Sequence, residues 1–256
     1  MRKSIFLALN ILLAGVLFFA AAANAREITK EELKKALDDN PDVVLDFLRA
    51  HPVQVYDIAE SGIKAKEQAE KQQRLDAQLA NPLKPVIDQS RILAGPPDAP
   101  ITVVVYSDFF CPFCARGART IDALMAAHPG QVRLIFKHMP GHEGSRTAAL
   151  YFEAVLKQST EKAKKFHDLV FASQAALLKN KEEGLKKLAA QAGADMARLN
   201  TDMKSPELAA RLDADEKESR AFGFQGTPTF IINGVSLEGA RPLQDFENII
   251  GLTNKR

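Results

Sequence analysis

Residues 101–115 read ITVVVYSDFFCPFCA. The first six are β-branched or aromatic and follow Pro100, which predicts a strand buried on both faces. Pro112 suits the first position of a helix, so the pair Cys111 and Cys114 falls where a strand hands over to a helix. A helix N-terminus offers unpaired N–H groups and the positive end of the macrodipole, and both favour a thiolate at Cys111. Cys114 lies one turn along on the same side, within reach to close a ring. A thiolate attacks disulfides and also leaves well from a mixed disulfide. Cys111 is therefore the candidate nucleophile and Cys114 the candidate resolving thiol. Phe109, Phe110 and Phe113 are expected to form an apolar rim suited to unfolded polypeptide, with Phe110 and Phe113 contacting substrate.

Three other readings compete. A structural disulfide closing so short a loop removes little chain entropy, so its stability gain is small. The pair could be half of a zinc site; no second C-x-x-C exists, and although the two cysteines with His138 and His142, the nearest histidines after His128, satisfy the ligand count, their spacing matches no closed-site pattern. His142-Glu143 lacks the second histidine of a zinc-peptidase motif. Inert buried cysteines fit poorly with a helix start.

Working outward, residues 132–136 (VRLIF) predict a second strand, and the helix over 111–127 joins it to the first as a parallel β-α-β unit. Residues 229–232 (TFII) run through Asn233-Gly234 into 235–237, the strongest short hairpin signal. Leu243, Phe246 and Ile250 then form a closing amphipathic helix ending at Gly251. Between the second strand and the hairpin lie about 80 residues of helical pattern. Ala149, Phe152 and Leu156 share one face, Phe166, Leu169 and Val170 another, and Leu185, Leu188 and Ala192 mark a third helix. Ser205-Pro206 caps a fourth carrying Leu208 and Leu212. A short strand is expected within residues 85–93. The fold class is α/β, with a helical insertion over about residues 143–222.

Residues 226–229 (GTPT) precede the hairpin. Proline entering a strand is tolerated if cis or at an edge. In this fold the turn falls beside the Cys111 helix start, where a cis Pro228 leaves the backbone of Thr227 free to pair with an extended substrate. An ordinary proline at a strand start is the plainer alternative.

Residues 26–83 read as helices. Thr29 and Glu32 make a capping box ahead of Leu33 and Leu37. Asn40-Pro41 opens a second helix, with Val44, Leu45 and Leu48. A third, over 53–79, is about 40 Å long and too poor in large apolar residues to form a core alone. It either docks on its own domain or self-associates as a stalk, and the stalk is the reading adopted here. Arg2 and Lys3, an uncharged run over residues 4–25 and a closing Ala23-Asn24-Ala25 have the order of a secretory signal peptide. The run is also long enough for an uncleaved anchor.

Composition sets the outer limits. Of 256 residues 46% are hydrophobic and 26% charged, which is ordinary for a globular chain and disfavours disorder or a polytopic membrane protein. Removing Arg2 and Lys3 leaves 32 basic against 32 acidic residues, so no long-range field favours nucleic acid. Two cysteines cannot build a disulfide scaffold.

The segment 109–114, the helical insertion and residues 226–230 together resemble the DsbA-type thiol:disulfide oxidoreductases of the thioredoxin superfamily, over roughly residues 84–254. The added N-terminal helices resemble those of ScsC/Com1-like periplasmic proteins, some of which oligomerise through them. The resemblance implies that Cys111 is an exposed nucleophile, Cys114 its partner and Pro228 a cis proline preceded by Thr227. It implies no cofactor and no metal. Its implied partners are unfolded or misoxidised extracytoplasmic proteins, a membrane oxidase or reductase, and further copies of the chain. Two departures matter. Phe113 stands where DsbA has histidine, so without an imidazole near Cys111 the thiolate should be less stabilised and the disulfide less oxidising. Val105 stands where the family often has a buried glutamate, while Asp108 is expected to be exposed or capping the helix. Threonine before the cis proline is commoner in isomerase-like members. The expectation is a periplasmic thiol–disulfide oxidoreductase that isomerises protein disulfides, with a dedicated oxidase as the alternative and a chaperone or copper- or zinc-binding protein as the alternative of another class.

Overall fold

The computed structural model describes residues 28–255; the signal peptide expected over residues 1–25 lies outside them. The described chain opens with three helices, α1 (Lys30–Asp39), α2 (Pro41–Ala50) and α3 (Pro52–Ala80). It divides into two compact units between Gln68 and Ala69, inside α3.

In the first unit the predicted capping box is present. Thr29 Oγ1 accepts the Glu32 N–H, and the Glu32 carboxylate accepts the Thr29 N–H, each at 3.2 Å. Pro41 starts α2 at a position where its missing N–H costs nothing. Neither α1 nor α2 buries a residue, and Val43, Leu45, Phe47, Val53, Tyr56 and Ile63 all stand exposed.

The second unit holds the sheet. After the end of α3 a single 3-10 turn at Gln89–Arg91 leads into β1 (Ile92–Ala94), all that forms of the strand expected within residues 85–93. β2 (Ile101–Ser107), α4 (Pro112–Ala127) and β3 (Val132–His138) make the parallel β-α-β unit. The helical insertion follows as α5 (Ser145–Leu156), α6 (Thr160–Ala172), α7 (Gln174–Leu177), α8 (Lys181–Gln191), α9 (Met196–Asp202) and α10 (Pro206–Ala221). The hairpin β4 (Thr229–Ile232) and β5 (Val235–Glu238) and the closing α11 (Leu243–Thr253) complete it, the helix running past the expected stop at Gly251.

Strand order is β1-β3-β2-β4-β5, with only the β2–β3 pair parallel. β2 therefore sits at the centre, and both its faces are covered. Val103 and Val105 join the larger core with α4 and the insertion, while Val104 and Tyr106 face a smaller one with Ile135, Phe224 and Ile231. Burial on both sides is why this strand is apolar without alternation. The hairpin turn has Asn233 and Gly234 at φ 46° and 89°, both positive as a type I′ turn requires. Under the insertion lies a buried ionic group. Arg91 donates to Asp215 twice at 2.7 Å and to Glu153 at 2.8 Å, and Glu153 also meets His138 at 3.0 Å.

Candidate active site

Cys111 is the residue that caps α4, and Pro112 opens the helix, so the motif sits where the free N–H groups of the first turn converge. Both cysteines are unpaired thiols. The carbonyl of Cys111 accepts the Cys114 N–H at 3.0 Å, which folds the second thiol back toward the first. Cys111 is only 5% exposed, more covered than the exposed nucleophile expected from the resemblance, because the turn before β4 lies over it. Its Sγ–H donates to the carbonyl of Thr227 at 3.5 Å.

The Thr227–Pro228 peptide is cis. α4 approaches this turn closely because residue 117 is glycine. A Cβ there would stand 2.9 Å from the Phe230 ring and 3.0 Å from Cγ of Pro228. Cys111, Cys114, Thr227 and Pro228 are thus brought together, as the sequence predicted. Phe113 is 52% exposed beside them, with the Arg116 guanidinium 4.4 Å from its ring centre. Phe110 is different. It is 5% exposed, packed beneath Lys181, and Phe109 lies among Phe136, Phe152 and Phe171 in the core. The expected three-ring rim reduces to Phe113, because the tight turn ahead of α4 points the other two rings inward.

The two thiols are electrostatically unequal. Cys111 is pulled down to about 5, first by the hydrogen bond from the Cys114 thiol and then by the Thr227 side chain and the N–H groups of Cys114 and Phe113, which together outweigh its burial. Cys114, 2% exposed, is pushed far up by burial and by serving as that donor. Behind it lies a small cavity walled by Val105, Ser107, His167 and Phe171, with Val105 supplying apolar surface where the family often carries a carboxylate.

Asp108 is neither exposed nor a plain helix cap. Its side chain is fully buried, and its carboxylate accepts five hydrogen bonds. They come from the N–H groups of Phe110 (2.8 Å), Gly141 (2.7 Å) and His142 (3.1 Å), from Nδ1 of His142 (2.8 Å) and from Oγ of Ser145 (2.5 Å). Burial pushes its pKa up, but these donors prevail and hold it below the ordinary value. The Asp108 N–H in turn points at Cys114 Sγ at 3.4 Å. His142 is raised above the ordinary imidazole value by this bond and, more weakly, by the charges of Asp108 and Cys111. An imidazole is therefore tied, through Asp108, to the turn that carries Cys111, delivered by the loop after β3 instead of by the motif. Gln174, at the start of α7, donates to the carbonyls of Phe109 (2.8 Å) and Cys111 (3.0 Å) and fixes the turn from the insertion side. Among the described residues no group of three or more histidine, cysteine or acidic side chains is placed to hold a metal ion.

Comparison with known proteins agrees with this geometry. A family model described as thioredoxin matches residues 88–251. A thioredoxin-like oxidoreductase from Silicibacter pomeroyi is similar at 25% identity and TM-score 0.57, covering 66% of this chain and 99% of its own. The thiol-disulfide exchange protein α-DsbA2 from Wolbachia pipientis shares the fold at 22% identity and TM-score 0.57, covering 62% of this chain and 85% of its own. A Proteus mirabilis ScsC linker-deletion mutant shares it at 22% identity and TM-score 0.56, over 91% of this chain and 99% of its own. Among curated proteins, the Na(+)/H(+) antiporter NhaA of Herminiimonas arsenicoxydans is 34% identical over 178 residues, 70% of this chain and 27% of that protein. The chain thus spans about a quarter of the length of the curated relatives it matches. No helix among the described residues is long and apolar enough to cross a membrane. With a pair of thiols at a helix start, facing a proline turn on a five-stranded α/β sheet, the chain belongs to the thioredoxin family.

Proposed function

We propose that the chain is a periplasmic disulfide isomerase in which Cys111 is the nucleophile and Cys114 the resolving thiol. The observation that carries this is the split between the two thiols, one held as a thiolate at neutral pH and the other as a buried thiol. The Cys111 thiolate attacks a substrate disulfide, forming a mixed disulfide and releasing one substrate thiolate. A different thiolate of the same substrate attacks the substrate sulfur of the mixed disulfide, which releases Cys111 as a thiolate and leaves a rearranged pairing with no net oxidation. If rearrangement stalls, Cys114 loses its proton and attacks Cys111. The chain then holds the Cys111–Cys114 disulfide and the substrate leaves reduced by two electrons. Thr227 and Pro228 present backbone to an extended client and Phe113 offers it an apolar contact. No cofactor takes part, since the electrons travel in the sulfurs.

The assignment extends to the rest of the chain. Residues 1–25 act as a cleaved signal peptide, residues 26–83 as a self-associating stalk, and residues 84–254 as the exchange domain. A stalk is supported by the apolar side chains that α1 and α2 leave uncovered. Clients are unfolded or misoxidised proteins, and a membrane redox protein resets the pair. Light scattering on the mature protein at micromolar concentration should find an oligomer, and a chain starting near Pro85 should be monomeric and still active.

A second reading has one observation in its favour. A thiolate held down to about 5 stabilises the reduced form, which makes the disulfide a stronger oxidant and suits a dedicated oxidase. Reactivation of scrambled ribonuclease in a glutathione buffer separates the two. Recovery that disappears in Cys111→Ser supports isomerase; rapid oxidation of reduced ribonuclease without recovery of the scrambled form supports oxidase. Recovery undiminished in Cys111→Ser refutes both.

A further inference from the structure

The pair formed by Asp108 and His142 has no part in the exchange chemistry described so far, yet it is built onto the same turn as the nucleophile. The carbonyl of Asp108 accepts the Cys111 N–H at 3.2 Å, and its N–H points at Cys114. Its carboxylate is fully buried and ties down Gly141, His142 and Ser145, so the loop after β3 cannot move away from the head of α4 without stranding a buried charge. The His142 ring, by contrast, is 51% exposed and held at a single nitrogen. An ionised carboxylate only accepts, so Nδ1 of His142 is its donor and Nε2 remains to take or release a proton with solvent. A ring fixed at one nitrogen and open to water at the other titrates in place.

We infer that His142, clamped by Asp108 beside the head of α4, is a positioning residue whose protonated ring steadies the Cys111 thiolate and ties exchange to a proton equilibrium of its own. The inference rests on Cys111 being the reactive thiol. The charged groups facing His142 are Asp108 from the turn before α4, Cys111 at its cap and Lys181 at the start of α8, and Lys181 is itself paired with Glu143 at 3.2 Å. Asp108 and the thiolate favour the imidazolium and Lys181 opposes it. Only the Cys111 charge changes with redox state. It is present in the reduced protein and disappears when the Cys111–Cys114 disulfide forms. Coupling between two titrating groups is reciprocal. The reduced protein must therefore bind the His142 proton more tightly than the oxidised protein, and reduction takes up a proton at His142 over the pH range between its two pKa values. Phe113 has displaced the motif histidine, and this loop histidine supplies a cation from another direction.

The test reads the proton, not the turnover. The His142 pKa is measured by NMR of its ring protons in the reduced protein and in the oxidised protein. The expected result is a proton affinity about threefold to tenfold higher in the reduced form, the range for unit charges interacting across a partly solvated site. In reduced His142→Ala the pH midpoint of Cys111 alkylation should rise by the same factor. His142→Lys, which carries a fixed charge, should restore the low midpoint while abolishing the redox-linked proton. Equal His142 proton affinity in the two forms, or an alkylation midpoint unmoved in a folded His142→Ala, overturns the inference. A merely structural histidine would alter stability in both variants without tracking charge. If alkylation shows Cys111 unreactive in the wild-type protein, it is the exchange assignment that fails, and the two failures are distinguishable.

Discussion

Replacing Cys114 by alanine should deprive the Cys111 thiolate of its strongest partner. In the wild-type protein Cys111 is pulled down to about 5. An unperturbed cysteine titrates near 8.5, so the site favours the thiolate by about 5 kcal/mol at ~1.4 kcal/mol per pH unit. The largest contribution is the Cys114 S–H donor, followed by Thr227 and two backbone N–H groups. A hydrogen bond to a charged group contributes about 1.5–3 kcal/mol, and the S–H is a weak donor, so the lower half of that range applies. Cys114→Ala should therefore move the midpoint up from about 5 to between about 6 and 7, while Cys114→Ser, which keeps an O–H donor, should stay closer to the wild type. The assay is the far-ultraviolet absorbance of the thiolate against pH, with the pH dependence of iodoacetamide alkylation as an independent reading. The same protonation has a stability signature. A folded pKa below the unfolded value contributes stability that is full above the unfolded pKa and is lost as pH falls. The stability difference between reduced wild type and Cys111→Ala should shift against the wild type by up to about 1.4 kcal/mol per pH unit from pH ~8.5 down to ~5, and become independent of pH below that. An alkylation midpoint in Cys114→Ala within a few tenths of the wild-type value would refute the reasoning, because the thiol pair would then not be sharing its proton.

Other perturbations probe the scaffold. Arg91→Met leaves Glu153 and Asp215 buried without their shared cation, although His138 still serves both. Urea unfolding should show a loss of about 3–5 kcal/mol; a loss under 1 kcal/mol would mean that the histidine and Arg211, which donates to Glu153 at 3.1 Å, suffice. Gly117→Val drives branched carbons into Phe230 and Pro228. It should cost about 1–3 kcal/mol in unfolding measurements and slow exchange by moving the proline turn off the thiol, and unchanged exchange would show that the close approach is dispensable. Gln174→Ala removes two hydrogen bonds from the turn ahead of α4. It should lower stability by about 1–2 kcal/mol, with exchange falling as that turn loosens, and a neutral result would mean that water replaces the amide.

What could be read from the sequence was whatever is decided locally. Residues 101–106 announced a two-sided buried strand, Asn233-Gly234 a hairpin, and Thr29 with Glu32 a helix start, because each rests on a few adjacent residues. Cys111, Cys114, Thr227 and Pro228 were legible as one constellation because the β-α-β unit and the hairpin leave few ways to arrange the chain. What was missed depends on distance. Asp108 and His142 are 34 residues apart, and nothing in either neighbourhood marks a buried carboxylate with five donors. Gln174 reaches the motif from 63 residues away. Phe110 was misplaced because adjacent rings in a tight turn do not share a face, and the direction of that turn is set by Asp108. β1 was blurred because three residues carry too little periodicity to define a strand.

The end of α3 gives the sheet a property that matters for any protein handling unfolded chains. β5 is the outermost strand on its side, and its free amides would offer an extended client a place to pair. Gln78 Oε1 accepts both the N–H and the hydroxyl of Ser236, at 2.7 and 3.0 Å, and Arg74 reaches Glu238 at 2.5 Å. A helix of the same chain thereby occupies part of the β5 border. On the function proposed above, this steers an extended client away from β5 and toward the backbone beside Thr227, next to the reactive sulfur.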